Sequence, residues 1–151
     1  MIDNMKLILN SCNELLIAPK GKSMRPYLKE KRDKVVVSSI DRNLGLYDIV
    51  LYKSNNVYIL HRIIGENEDN YLICGDNNYV TETIPKGDII GVVTEIIRFD
   101  RFHISIPSHS AELWVKVWYE WKAKRVWNKI NNILQKIKRN FIKMLDFFYK
   151  R

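Results

Sequence analysis

A succession of short apolar segments separated by turn residues constrains the fold of this chain more than any other sequence feature. Between residues 34 and 106, aliphatic and β-branched runs alternate with clusters of Gly, Asn, Asp and Pro. Such runs are typical of short strands joined by tight turns. We predict strands at 34–38, 47–53, 57–64, 71–74, 89–99 and 102–106. Their spacing predicts a mainly β protein with an antiparallel β body.

The segment before the first predicted strand has a helical period. Asp3 or Asn4 is suited to cap a short N-terminal helix, and Pro19 is expected to end it. Both cysteines, Cys12 and Cys74, are predicted to be small core residues of a protein in a reducing compartment. Five apolar side chains are predicted to share one face of the helix: Leu7, Ile8, Cys12, Leu15 and Leu16.

The sequence contains no apolar run of the roughly 18–20 residues that a membrane-spanning helix requires. Its N-terminus lacks the basic region and apolar stretch of a secretory signal peptide. We therefore expect a cytoplasmic protein, either in solution or peripheral on the cytoplasmic face of a membrane.

Residues 111–151 differ in charge from residues 1–110, so we predict two parts: a β domain and a helical tail. The tail holds eleven Lys or Arg against three Asp or Glu, whereas residues 1–110 hold fourteen of each sign. A basic amphipathic helix with aromatic residues is typical of anionic membrane interfaces, although packing on the β body is the alternative. Its apolar residues recur mostly at steps of three and four: Trp114, Trp118, Trp121, Trp127, Ile130, Leu134, Ile137, Phe141, Leu145 and Phe148.

The stretch 19–28, Pro-Lys-Gly-Lys-Ser-Met-Arg-Pro-Tyr-Leu, separates the predicted helix from the strands. Its glycine and prolines disfavour regular structure, so Ser23 and Met24 are predicted to lie on an exposed, fixed turn. A turn of this kind can present a nucleophilic hydroxyl beside backbone N–H groups that face an oxyanion. Ser23 is therefore a candidate nucleophile, with Gly21, Lys22 and Met24 as candidates for oxyanion or substrate binding. The alternative is that Ser23 is only a turn residue.

His61 stands in the otherwise apolar stretch 58–64 and is the candidate general base. A neutral imidazole, with an ordinary pKa of about 6.5, accepts a proton near neutral pH, as a serine nucleophile requires. The alternative is a half-buried histidine that only bonds its neighbours. Asp76 and Glu82 are both candidates for orienting the imidazole. Asp76 lies in the stretch Gly-Asp-Asn-Asn, and the alternative is that this stretch is only an ordinary turn.

Five short motifs follow one another between residues 17 and 98: Ser23-Met24-Arg25-Pro26, Asp48-Ile49-Val50, His61-Arg62, Gly75-Asp76-Asn77, and Gly91 after an isoleucine pair. In this order they resemble the motifs of the type I signal peptidases, serine proteases related to the self-cleaving SOS repressors. A histidine stands here where the usual bacterial enzymes carry a lysine. The chain is therefore similar to the archaeal, endoplasmic-reticulum and sporulation branch, which uses a serine–histidine pair.

Two departures from the family pattern concern the site. Gly21 stands where many bacterial members carry a serine of the oxyanion hole, which leaves backbone donors, chiefly the Ser23 N–H. The histidine branch usually has an aspartate after the Gly-Asp-Asn motif as its third catalytic residue, and Glu82 stands at that position here. The orienting carboxylate is thus Asp76 or Glu82, with a slight preference for Asp76 as the more rigidly placed group.

The resemblance implies a serine endopeptidase that cleaves a leader or precursor peptide after small residues, with the substrate bound as an extended strand. Signal peptidases are held by spanning helices on the far side of the membrane, so a cytoplasmic protease for one dedicated peptide fits this sequence better. The rival is a catalytically silent peptide-binding or membrane-docking module on the same scaffold. We expect no nucleic-acid partner, because the tail is richer in tryptophan and aliphatic residues than a phosphate-tracking arm requires. No metal or other cofactor is expected.

Overall fold

The computed structural model describes residues 4–106, 113, 115–123, 130 and 132–138. The chain divides into two compact units, Met1–His109 and Ser110–Arg151. The described part of the first unit consists of helix α1 (Asn4–Cys12), a short 3-10 turn (Lys86–Asp88) and eight strands. These are β1 (Glu14–Ile17), β2 (Asp33–Ser38), β3 (Ile49–Ser54), β4 (Val57–Glu66), β5 (Asn70–Cys74), β6 (Glu82–Pro85), β7 (Ile89–Arg98) and β8 (Phe102–Ser105).

The strands form one antiparallel sheet in the order β1-β2-β7-β3-β4-β5-β6, with β8 beside β7. Each of the six predicted strands overlaps an observed strand, and β1 and β6 were not predicted. The predicted class, a mainly antiparallel β protein with a short N-terminal helix, is confirmed. Buried side chains form two clusters, and successive residues of β3 contribute to different ones: Leu51 to the first and Tyr52 to the second.

The N-terminal helix is shorter than the sequence predicts. It ends at Cys12, because Asn13 adopts a left-handed backbone conformation (φ 62°) that directs the chain into β1. Leu15 and Leu16, which we predicted on the helix, instead lie in β1 and pair with β2. Asp3, one of the two predicted caps, lies outside the described residues.

The buried face of α1 also differs from the prediction. Leu7, Ile8 and Cys12 are exposed, and Leu9 is the helix residue that is fully buried. Leu9 packs over Gly91 of β7, where an added Cβ would lie only 2.5 Å from the leucine Cδ2. The glycine therefore permits the helix to pack directly on the sheet.

The β3–β4 hairpin positions one strand of the candidate site. Its two turn residues, Asn55 and Asn56, both have positive φ (49° and 62°), as a tight two-residue hairpin turn requires. This turn fixes the register in which Val50 pairs with His61. Since β5 pairs with β4 only from Arg62 onwards, β5 leaves the edge of residues 57–61 uncovered.

In the second unit, the described residues 113, 115–123, 130 and 132–138 are helical. Val115 and Lys122 are buried, and the Trp118 and Trp121 rings stack with centroids 5.0 Å apart. None of the described helices is long and apolar enough to cross a membrane. The other aromatic and aliphatic positions of the predicted tail helix, namely Trp114, Trp127, Phe141, Leu145 and Phe148, lie outside the described residues.

Candidate active site

Ser23 lies in an irregular turn between β1 and β2, as the sequence predicts. Two backbone hydrogen bonds tighten the turn: the Arg25 N–H donates to the Lys22 carbonyl (3.1 Å), and the Leu28 N–H donates to the Met24 carbonyl (2.8 Å). Ser23 is half-buried rather than exposed. The prediction that Met24 is exposed is wrong, because its side chain is only 5% exposed and packs into the first core cluster. Burial of Met24 anchors the turn to the sheet.

The backbone around Ser23 can provide a donor for an oxyanion. Gly21 has φ 90°, which favours glycine, and its N–H donates to the Glu30 carboxylate at 3.2 Å. Lys22 is exposed. Among the described residues, no acceptor takes the Ser23 N–H. The Ser23 N–H is therefore a donor of this turn that is available to a ligand.

His61 lies on β4 with its side chain buried. Its Nδ1 atom is 3.0 Å from the Tyr52 hydroxyl and 3.4 Å from a Glu82 carboxylate oxygen. Burial lowers the pKa of His61 below its usual 6.5, and the nearby negative charges of Glu82 and Asp76 oppose part of this shift. The imidazole is therefore predominantly neutral at pH 7, the state in which a histidine accepts a proton.

Gly75 is the point at which the serine turn and the histidine meet. A Cβ at this position would lie 2.8 Å from the Ser23 carbonyl oxygen, 2.9 Å from His61 Nε2 and 3.0 Å from the Asn78 side-chain nitrogen. The Asn77 N–H also donates to the Ser23 carbonyl at 2.7 Å. Within the described part of the chain, no hydrogen bond joins the Ser23 hydroxyl to the imidazole. Such bonds are often long in unliganded enzymes.

Asp76 and Glu82 have different partners. The fully buried Asp76 carboxylate accepts two hydrogen bonds from the Arg62 guanidinium, at 2.8 and 2.9 Å. Arg62 also stacks over the Tyr27 ring, 4.7 Å from its centroid, and thereby ties the serine turn to β4. Since Arg62 takes both oxygens of Asp76, the geometry favours Glu82 over Asp76 as the carboxylate that serves His61.

Ser23 and His61 line the same cavity, of about 740 Å³. Its wall is largely apolar and is formed mainly by two chain stretches, 17–21 at the end of β1 and 57–61 in β4. In the described sheet, β1 pairs only with β2, and β5 leaves the outer edge of 57–61 uncovered. Gly21 and Met24 contribute to the wall, whereas Lys22 does not. The cavity therefore lies between two sheet edges with the candidate nucleophile and base in its wall.

Sequence reasoning missed two residues of this site. Tyr52 contacts the imidazole, and Arg62 engages Asp76. The sequence contained a signal for the first, because a two-residue Asn-Asn hairpin turn pairs residue 52 with residue 59 and makes Tyr52 and His61 diagonal neighbours on one face.

Within the described residues, no group of three His, Cys, Asp or Glu side chains is arranged to hold a metal ion. Comparison of the chain with known families finds no family model that matches, and comparison with curated proteins finds no match.

Proposed function

We propose that this protein is a serine endopeptidase that cleaves a leader or precursor peptide, with Ser23 as nucleophile and His61 as general base. The observation that carries the proposal is that Ser23 and His61 line one cavity, with the Ser23 carbonyl and the His61 Nε2 atom both close to Gly75. The resemblance of the ordered motifs to the histidine branch of the signal peptidases supports the same assignment.

The reaction follows from the chemistry of these groups. His61 Nε2 takes the proton of the Ser23 hydroxyl as Oγ attacks the scissile carbonyl carbon, and the Ser23 N–H stabilises the resulting oxyanion. The protonated imidazole then gives its proton to the leaving amine as the C–N bond breaks, which leaves an ester on Ser23. Water, deprotonated by His61, hydrolyses the ester and regenerates the serine. Glu82 lies on the Nδ1 side, where its charge stabilises the imidazolium.

The cavity favours a substrate in extended conformation. The strand segment 57–61, which β5 leaves unpaired, and the stretch 17–21 at the end of β1 both line the cavity. A peptide strand laid there gains main-chain hydrogen bonds largely independently of its side chains. If the preference of the resembling family applies, the cleaved bond follows small residues at the first and third positions before it.

The test is cleavage of a peptide library by the full-length protein, followed by mass spectrometry of the products. Ser23→Ala and His61→Ala are each expected to abolish cleavage while the circular dichroism spectrum and urea midpoint are retained. Ser105→Ala and His103→Ala, both at exposed positions outside the cavity, are the matched controls and should cleave normally. Full activity of either site variant would refute the assignment. Peptide binding without cleavage by the wild type would favour the silent binding module.

We also propose that residues 111–151 form a long amphipathic helical tail that binds an anionic membrane surface. In its described part, the apolar side chains at Ile130, Ile133, Leu134 and Ile137 follow the helical period and are each about half exposed. The eleven basic residues of the tail suit an anionic surface, since each near such a surface contributes about 1 kcal/mol.

Flotation of the full chain with liposomes containing phosphatidylserine tests the membrane proposal. Leu134→Ser is expected to weaken binding, because it removes an apolar contact from the stripe. Leu46→Ser is the matched control, since Leu46 lies in the β unit and is exposed to the same extent, 55%. Equal recovery of wild type and Leu134→Ser at low salt, or binding that is equally strong to neutral liposomes, would refute this proposal.

A further inference from the structure

Tyr52 is a buried residue in contact with the proposed base. Its side chain is fully shielded from solvent, so its hydroxyl requires hydrogen-bond partners within the protein. Strand pairing explains its position: Tyr52 pairs with Ile59, which makes it the diagonal neighbour of His61 on the same face of the sheet. Glu82 reaches the same face, because it pairs with Ile73 of β5.

The distances rank the two partners of the imidazole. The Tyr52 hydroxyl lies 3.0 Å from His61 Nδ1, an ordinary hydrogen-bond length, whereas the nearer Glu82 oxygen lies 3.4 Å from that nitrogen. Burial, and then the negative charge of the nearby Glu82 carboxylate, raises the pKa of the tyrosine above its usual range. Tyr52 is therefore a protonated hydroxyl beside the imidazole, with the Glu82 carboxylate nearby.

The direction of these hydrogen bonds follows from the strength of the acceptors. An ionised carboxylate only accepts hydrogen bonds, and it is the strongest acceptor in the cluster, so the tyrosine proton points to Glu82. The tyrosine oxygen then accepts from Nδ1–H, which leaves Nε2 without a proton on the side of Gly75 and Ser23. We propose that Tyr52 is a positioning residue that links His61 to Glu82 and fixes the imidazole in the tautomer in which Nε2 can act as base.

This inference rests on the proposed function for its role in catalysis, but its structural core can be tested without a substrate. The chain has only three histidines, so two-bond ¹H–¹⁵N spectra of the full-length protein resolve each ring, and His61→Ala identifies the His61 signals. At pH 7 the wild type is expected to show an unprotonated Nε2 and a protonated Nδ1. Tyr52→Phe should transfer part of the population to the other tautomer, and Glu82→Gln should act in the same direction.

Turnover provides the second measurement. Tyr52→Phe is expected to lower kcat by roughly ten- to a hundredfold, the effect of losing one hydrogen bond to a group that becomes charged. KM should stay unchanged, because Tyr52 does not line the cavity. Tyr71→Phe is the matched control: Tyr71 is also buried, but its hydroxyl is 3.5 Å from the Leu44 carbonyl. That variant should keep both the tautomer and the kcat of the wild type.

Two results would overturn the inference: a wild-type His61 protonated on Nε2, or a Tyr52→Phe protein with unchanged tautomer and kcat. If Tyr52→Phe does not fold, Glu82→Gln decides by the same criteria, because the Glu82 side chain is 36% exposed and tolerates substitution better. Failure of the wild type to cleave any peptide would refute the proposed function and leave the tautomer result valid. Loss of activity in Ser23→Ala with unchanged Tyr52→Phe would instead remove only the role of Tyr52.

Discussion

Replacement of Gly75 by alanine tests the geometry of the site with the smallest change that the chain offers. The added methyl group would lie 2.8 to 3.0 Å from three atoms, where ordinary van der Waals contact begins at 3.4 Å. The Ser23 carbonyl is held by the Asn77 N–H, and the imidazole is held by Tyr52. These two groups are therefore not free to swing away from the added methyl group. Relief of the close contacts needs a shift of about half an ångström, which the serine turn, the imidazole or β5 itself must make.

The magnitude follows from this displacement. Overpacking of this size typically costs about 1–3 kcal/mol of stability. Misplacement of a reacting group by about 1 Å lowers the rate about a hundredfold, so we expect a loss of at least tenfold in kcat/KM. Cleavage of a peptide selected from the library measures the rate, and urea unfolding measures the stability.

Gly87→Ala is the control, because a Cβ at Gly87 would meet no atom within 4 Å. It should leave both kcat/KM and the urea midpoint near those of the wild type. A folded Gly75→Ala protein with kcat/KM within twofold of the wild type would show that the serine turn and the imidazole do not act together at this point.

Two further predictions concern the charged groups of the site. The ratio kcat/KM should rise with pH as His61 loses its proton, with a midpoint below 6.5; Glu82→Gln should move the midpoint lower still, because it removes a negative charge that raises the His61 pKa. A rise only at alkaline pH would contradict a histidine base. Arg62→Met should lower the free energy of unfolding by about 3–5 kcal/mol, because it removes the positive charge that is paired with the buried Asp76 carboxylate. Lys34→Met removes an exposed ion pair and should lower the free energy of unfolding by no more than about 1 kcal/mol. Equal losses of stability in the two variants would contradict a special role for the buried Arg62–Asp76 pair.

The strands that the sequence predicts are those with clear boundaries. Each contains an aliphatic or β-branched run, and turn residues such as Asn55 and Asn56 stand between them. β1 was assigned to the helix because a run as short as Leu15-Leu16-Ile17 fits a helical and a strand period equally well. β6 was missed because Glu82–Pro85 alternates between half-buried and exposed residues and ends in proline. Both strands are fixed by pairing, β1 with β2 and β6 with β5.

The sequence singles out Ser23, His61 and two candidate carboxylates, but it does not show which carboxylate lies beside the imidazole. Ser23 and His61 stand out by chemistry and local context, whereas the choice between Asp76 and Glu82 depends on Arg62. Successive strand residues point to opposite faces, so Arg62 and His61 serve different faces of β4. The arginine takes Asp76, and the imidazole is left with Tyr52 and Glu82. These two sets of partners, one for Arg62 and one for His61, can be identified only from the strand pairing of the folded chain.

Detection of an ester on Ser23 tests the central claim most directly. Full-length protein and a cleaved peptide are mixed, quenched in acid within milliseconds to seconds, and analysed by intact-mass and peptide-mapping mass spectrometry. The account predicts an adduct with the mass of the acyl half of the peptide, located on Ser23, absent from Ser23→Ala and present in the Ser105→Ala control. Peptide cleavage at the wild-type rate by Ser23→Ala, or an adduct on a residue other than Ser23, would contradict it.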